Sequence, residues 1–223
     1  MHPSELIFYD RVSPAFAREV IAISERLGIQ ADWLMAAMHF ESAGTFDPSI
    51  TNGDEVHWRD DGSYEIERQP GSSAIGLIQF MDFTAEMLGT TCGELRRMTA
   101  LEQLGKVEAY LERYAYEMES VEDVYMAILW PRAIGKPLNY AIFSDPSDEY
   151  RWNAKLDVNH DGHVTKAEAS AHVVEALRDG READREARAG AEDLDELPPR
   201  PTETLPTNES FFFNHRPKIS LLW

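Results

Sequence analysis

The sequence predicts a mainly α-helical protein with one small β-hairpin inserted, and three observations carry that class. Capping signals stand at the head of apolar-periodic runs, at Ser13-Pro14, at Thr99 with Glu102 and at Ser120 with Asp123. The connections between these runs are short, which suits an orthogonal or bundled helical core. Only one stretch, Glu55 to Glu67, alternates apolar and polar residues with period two.

Taken in order, Ser13 supplies a hydroxyl cap and Pro14 a preset first turn, after which Phe16, Val20, Ile23 and Leu27 mark a core-facing side up to Gly28. The next helix covers Ala31 to Ser42, where Leu34, Ala37, Met38 and Glu41 share a face. A polar loop follows from Ala43-Gly44 through Asn52-Gly53. Val56, Trp58, Tyr64 and Ile66 then alternate around the turn Asp60-Asp61-Gly62, forming a hairpin that reads as a flap. Ala74 to Leu88 is expected to be a helix packed on Ile75, Leu77 and Ile78 and ending at Gly89. Leu101, Leu104, Val107, Leu111, Tyr114 and Met118 keep a three-and-four spacing over roughly five turns. A further helix runs from Val124 to Trp130, where Pro131 ends it.

The chain is expected to divide into a catalytic domain at 1–146, a second organised piece at 147–180 and an acidic, proline-rich arm at 181–223. The arm has few large apolar residues and reads as loosely held. Its end, FFFNHRPKISLLW, is apolar again and is expected to dock on the core or on a partner. At 223 residues the chain can build one core of about 150 residues plus an appendage.

Forty acids against 21 Lys and Arg give a formal charge of −19 with no basic stripe, which argues against a nucleic-acid partner. The single cysteine, Cys92, excludes a disulfide-stapled fold. MHPSELIFYD lacks a basic, then apolar leader, and no run approaches the roughly 18 apolar residues of a membrane span. A target outside the cytoplasm would need phage-type, lytic or dedicated secretory delivery.

Glu41 is the residue with the clearest chemical potential. Burial against Trp33, Met38 or Phe40 would favour its protonated form near neutral pH, suiting it to donate a proton to a leaving oxygen. Breaking a glycosidic bond requires such an acid while positive charge grows on the sugar. Glu41-Ser42 at a helix end, followed by Gly76-Leu77-Ile78-Gln79-Phe80 and Thr84-Ala85, resembles the catalytic domain of lysozyme-like soluble lytic transglycosylases, particularly versions carried by phage peptidoglycan-degrading proteins. The resemblance covers about Val20 to Ile142.

That resemblance implies a lysozyme-like helical domain and bacterial peptidoglycan as the partner, reached in the periplasm or outside the cell. Glu41 would act as general acid and then as the base that takes the proton of the muramoyl 6-hydroxyl, giving a 1,6-anhydro product. Ser42 would hydrogen-bond at the cleft, Gln79 would contact the N-acetyl sugar or orient the glutamate, and Gly76 would give the glycan room. The family's later tyrosine lies in an Ala-Tyr-Asn-Ala-Gly context, whereas this chain reads YMAILWPRAIGK. Tyr125 and Trp130 are the candidates there, and Trp58 and Tyr64 on the flap suit sugar stacking. Two alternatives remain. One is a hydrolytic muramidase using a second acid among Asp54, Asp60, Asp61 and Glu65, and the other is a glycan-binding structural protein of a phage or secretion apparatus.

A second signal is DVNHDGHVTKAE, which resembles an EF-hand-like calcium loop in full. Asp157, Asn159, Asp161, Thr165 and Glu168 fall at loop positions 1, 3, 5, 9 and 12, with the His163 carbonyl at 7 and Gly162 at the sharp turn. Val164 is expected to point inward, and the loop to act as a structural calcium brace whose short strand has no partner. No organic cofactor is expected.

Overall fold

The structure, a computed structural model, describes residues 1–69 and 74–195, the last eight (188–195) as backbone only. It is a mainly α-helical fold with two small antiparallel sheets, each of two strands. No helix among the described residues is long and apolar enough to cross a membrane. Pro70-Gly71-Ser72 and the tail with Phe211 to Phe213 and Trp223 lie outside the described residues.

The N-terminal half follows its local signals. Helix α1 (Pro14–Leu27) is capped by the Ser13 hydroxyl on Phe16 N and closes at Gly28, whose φ of +73° is the left-handed conformation that glycine adopts without a Cβ penalty. Helix α2 (Ala31–Glu41) is enclosed nearly all round: Leu34, Met35, Ala36, Ala37 and Met38 are fully buried. Strands β1 (Glu55–Trp58) and β2 (Tyr64–Glu67) pair antiparallel with Val56 opposite Ile66 and Trp58 opposite Tyr64, as the alternation requires.

The stretch from Ala74 departs from expectation. It is not a helix until α3 (Asp82–Met87). Ile75 instead bridges both Thr51 and Phe80, and Gly76 N donates to Ile50 C=O at 2.8 Å. The apolar residues Ile75, Leu77 and Ile78 are buried as predicted, but in a tight turn, because Gly76 and Gln79 hold φ of +80° and +54° and no helix continues through such values. Helix α4 (Cys92–Leu95) and α5 (Ala100–Leu111) each open on a capping box, the latter with Thr99 and Glu102. The periodic run breaks into a 3-10 turn at Glu112–Tyr114, and Leu101 is exposed, so its spacing misled. Helix α6 (Val121–Leu129) ends where Pro131 opens a 3-10 turn.

The C-terminal half holds two surprises. Strand β3 (Ala141–Ser144) pairs antiparallel with β4 (His163–Thr165), so the calcium-type loop does have a strand partner. A short helix α7 (Asp148–Asn153) lies between them. Helix α8 (Lys166–Asp195) runs through Gly180 without a break, so residues 181–195 of the expected arm are helical. Packing explains it: a Cβ at Gly180 would crowd Phe8 and Ile7 at 2.9 and 3.0 Å, and Arg181 reaches Asp32 at 3.2 Å and Gln30 at 3.0 Å. These contacts offset the glycine's weak helix propensity.

Helix α8 packs on both α2 and α6. At its first turn the buried Lys166 ammonium meets Asp123 at 2.5 Å and donates to Lys136 C=O at 3.0 Å. Asp123 also accepts from Gly135 N and Glu119 N, so both charges are satisfied out of water. Replacing Asp123 with Ala leaves the ammonium buried and uncompensated, a cost of about 3–5 kcal/mol. Urea unfolding should show that loss; a change below about 1 kcal/mol would mean that the pair holds nothing together.

Candidate functional site

Glu41 is the last residue of α2 and is half-buried. The chain leaves it through Ala43, Gly44 and Phe46, all with positive φ (+53°, +78° and +52°), so the turn is sharp and strained at two non-glycine positions. Ser42 holds that turn. It is fully buried, its hydroxyl accepts from Phe46 N at 2.9 Å, and its carbonyl accepts from the Thr45 hydroxyl at 2.6 Å. Its side chain therefore serves the loop, in place of the cleft contact that the resemblance implies.

The turn Gly76 to Gln79 is tied to the loop that follows Glu41. Besides the Gly76 N to Ile50 C=O bond, Gln79 Nε2 donates to Ile50 C=O at 3.3 Å and to Gly76 C=O at 3.0 Å. These two bonds fix which end of the carboxamide is nitrogen. Gln79 is 7% exposed, and its buried Oε1 finds no hydrogen-bond partner among the described residues. A buried acceptor without a partner, on a residue with positive φ, carries a cost in stability that the described residues do not offset.

Gly76 has a different reason from the one expected. A Cβ there would collide with the Gln103 carboxamide, which accepts from Leu77 N at 2.7 Å and donates to Pro48 C=O and Leu95 C=O at 3.0 and 3.1 Å. The room at Gly76 is thus taken by the protein itself. Gln103 was missed from sequence, although it sits one residue before Leu104 and four before Val107 on the buried side of α5.

The expected aromatic residues divide. Tyr125 is fully buried and edge-on to Phe40 at 5.6 Å, which makes it a core aromatic and removes it as an open sugar contact. Trp130 is half-buried at the end of α6 against Phe143. Trp58 is 38% exposed, with Tyr64 packed on it at 5.0 Å and the Arg11 guanidinium over its ring at 4.9 Å.

The hairpin acids have local roles. Asp54 accepts from Thr51 N at 2.8 Å, Gln69 N at 3.0 Å and Arg68 at 2.8 Å. Asp61 accepts from Ser63, and Glu65 pairs with Arg59. Glu55, His57 and Glu67 share the opposite face of the hairpin from Trp58, with ligand atoms within 4.8 Å of one another, and could hold a divalent ion. The Cys92 thiol is pushed up to about 12 by burial and by Asp82, which disfavours a thiolate nucleophile.

In the loop from Asp157 to Glu168 the oxygens are gathered by backbone donors. Asp157 is buried and accepts from Gly162 N at 2.9 Å, Asp161 N at 3.2 Å and the Tyr150 hydroxyl at 2.7 Å. Asn159 and Asp161 accept from Asp161 N and His163 N, both at 2.9 Å. Glu168 Oε2 accepts from Thr165 N and the Thr165 hydroxyl, while its buried Oε1 has no partner among the described residues. Gly162 takes the sharp turn at φ +84°, and Val164 is fully buried as predicted.

Burial opposes ionisation of Asp54, but its hydrogen bonds from Thr51, Gln69 and Arg68 win and hold its carboxyl below the usual aspartate range. The stability this adds is present above the unfolded pKa of about 3.9 and drains as pH falls through the lower folded value. Asp54→Asn should therefore lower stability at pH 7 by about 1–3 kcal/mol and by progressively less under acid. Thermal unfolding of both proteins from pH 7 to 2 measures it, and a gap constant across that range would refute the linkage. Neither a scan against protein-family models nor searches of characterised proteins and solved structures found a match for this chain.

Proposed function

We propose that this chain is a peptidoglycan glycosidase of the lytic transglycosylase type, with Glu41 as its acid and base. The observation that carries the reading is Gln79: a strained, buried carboxamide with an unused Oε1, locked by Ile50 to the loop that leaves Glu41. Such an oxygen needs a donor, and an acetamido N–H or a protonated carboxyl each supplies one. The exposed part of Trp58 on the hairpin supports the reading as an apolar surface beside which a sugar ring can lie.

In this reaction Glu41 gives its proton to the glycosidic oxygen as the C1–O4 bond of the muramoyl residue breaks. The carboxylate then takes the proton of the 6-hydroxyl as O6 bonds to C1, so the 1,6-anhydro ring forms without water entering. One carboxyl group suffices for both steps. Hydrolysis by inversion needs a second carboxylate about 6.5–9.5 Å away, free to hold a water. The hydrogen bonds to Asp54, the Ser63 contacts of Asp61 and the Arg59 pair of Glu65 favour the lytic route, with the exposed Asp60 the remaining candidate for a second acid.

Digestion of purified sacculi in heavy-oxygen water tests both claims. Wild type should release muropeptides with anhydro ends and no label. Glu41→Gln should keep its fold and lose nearly all release, at least about 100-fold. Release by the variant within threefold of wild type would remove Glu41 from the chemistry and favour a glycan-binding protein. Label at the new muramic end would mean hydrolysis.

The same reading places a structural calcium ion in the loop held by Asp157, Asn159, Asp161, the His163 carbonyl, Thr165 and Glu168. The residues fit: all donors are hard oxygens, and Glu168 Oε1 is a buried acceptor still lacking a partner among the described residues. The ion would supply charge compensation to a loop that belongs to the helix packed on α2 and α6. At about 100-fold excess over Kd, calcium should add roughly 2.7 kcal/mol to stability. Thermal unfolding with calcium and with chelator should show this in wild type and not in Glu168→Ala. An equal shift in the variant would place the ion elsewhere, with Glu55, His57 and Glu67 the next residues to replace.

A further inference from the structure

Arg11 sits in a layered stack that joins the N-terminal segment, the end of α2 and the hairpin. Its guanidinium carbon lies 4.9 Å from the Trp58 ring centroid and 5.7 Å from that of Phe8. Phe8, itself held at φ +59°, lies face to face with His39 at 3.9 Å, and Trp58 packs on Tyr64. Among the described residues the guanidinium makes one hydrogen bond, a long one of 3.4 Å to Gly44 C=O, three residues beyond Glu41. A Cβ at Gly44 would meet Arg11, His39 and Trp58 at 3.0, 3.1 and 3.3 Å, so this glycine is where the three side chains converge.

What Arg11 lacks is a carboxylate. The two hairpin arginines are each neutralised, Arg59 by Glu65 and Arg68 by Asp54 and Asp47. Arg11 forms no ion pair with any described residue, in a chain carrying 40 acids. Partial burial of the guanidinium lowers its pKa more than the charge of its neighbour Asp10 raises it, while the residue as a whole stays exposed. An exposed guanidinium flanked by two aromatic rings, with most of its five N–H groups open to solvent, can take a planar, bidentate anion. The acidic field of the chain repels anions at large, so such binding must be local and geometric.

We propose that Arg11 is a carboxylate-recognition subsite at the turn that follows Glu41, taking a free carboxylate of a wall peptide stem. The stem is the source named, and the inference rests on the peptidoglycan reading, because in the intact wall the lactyl acid of muramic acid is consumed in an amide to that stem. The role is one of binding: Arg11 would fix which glycan register lies across Glu41 and would take no part in bond breaking.

The test is calorimetric titration of N-acetylmuramoyl dipeptide, which contains no scissile glycosidic bond, into the full chain. Wild type should bind the dipeptide about tenfold more tightly than its bis-amide, in which both carboxylates are neutral. Arg11→Met should lose that preference and bind both forms as wild type binds the amide, and Arg11→Lys should recover only part of it. Equal affinity of wild type for acid and amide would overturn the proposal, and needs no variant to fold. So would an Arg11→Met protein that still prefers the acid. N-acetylmuramic acid binding as tightly as the dipeptide would move the recognised group to the lactyl carboxylate and overturn the choice of the stem. Muropeptide release by wild type reports separately on the glycosidase. Release with indifference to the carboxylates sinks Arg11 alone, and acid-selective binding without release sinks the glycosidase alone.

Discussion

The constraint on which the rest of the structure depends is the enclosure of α2. Five consecutive residues, Leu34 to Met38, have no exposed surface, because α1, α6 and α8 cover the helix on separate sides. A helix packed at interior density on all sides cannot rotate or slide without opening voids against each neighbour. Its first turn is also pinned by polar contacts, since Asp32 accepts from Ile7 N at 3.4 Å and from Arg181 at 3.2 Å. Glu41, as its final residue, is therefore delivered to a fixed point.

Apolar packing cannot hold the loops around that point, and buried polar side chains do it. Gln103 ties the Gly76 turn to Pro48 and Leu95, and Asp54 ties the base of the hairpin to Thr51 and Gln69. Asp123 joins the loops at 119 and 135 to Lys166. Each replaces the water that loop backbone groups would otherwise need, which is why a polar residue is required at positions inside the core. Against this background the buried Gln79 Oε1, Asn153 Oδ1 and Glu168 Oε1 lack a partner among the described residues.

The far end of the chain is part of the same construction. The oxygen-rich loop leads directly into α8, and α8 in turn covers α2, with His172 stacked on Phe40 beside Glu41. Strand β3 pairs with β4, so the loop is also braced by residues that precede it in the chain. The oxygen-rich loop and the helix that covers α2 are thus consecutive pieces of the chain.

Local chemistry was enough to read the helix starts at Ser13, Thr99 and Ser120, the hairpin register, and the inward Val164, since each depends on neighbours within a few residues. Resemblance could suggest that Glu41 and the Gly76–Gln79 motif belong to one site, but no local pattern links them; a backbone bond between Ile50 and Gly76 ties the motif to the loop that follows Glu41. Apolar content predicted that Ile75, Leu77 and Ile78 are buried, while the turn they occupy was hidden, as burial alone does not distinguish a helix from a bridge. Tyr125 in the core, Gln103 filling the space at Gly76, and β3 beside β4 were decided only by tertiary structure. So was the continuation of α8 through Gly180. Composition there argued for a loose arm, but packing against Ile7 and Phe8, more than 170 residues earlier in the chain, supplies what the local sequence lacks.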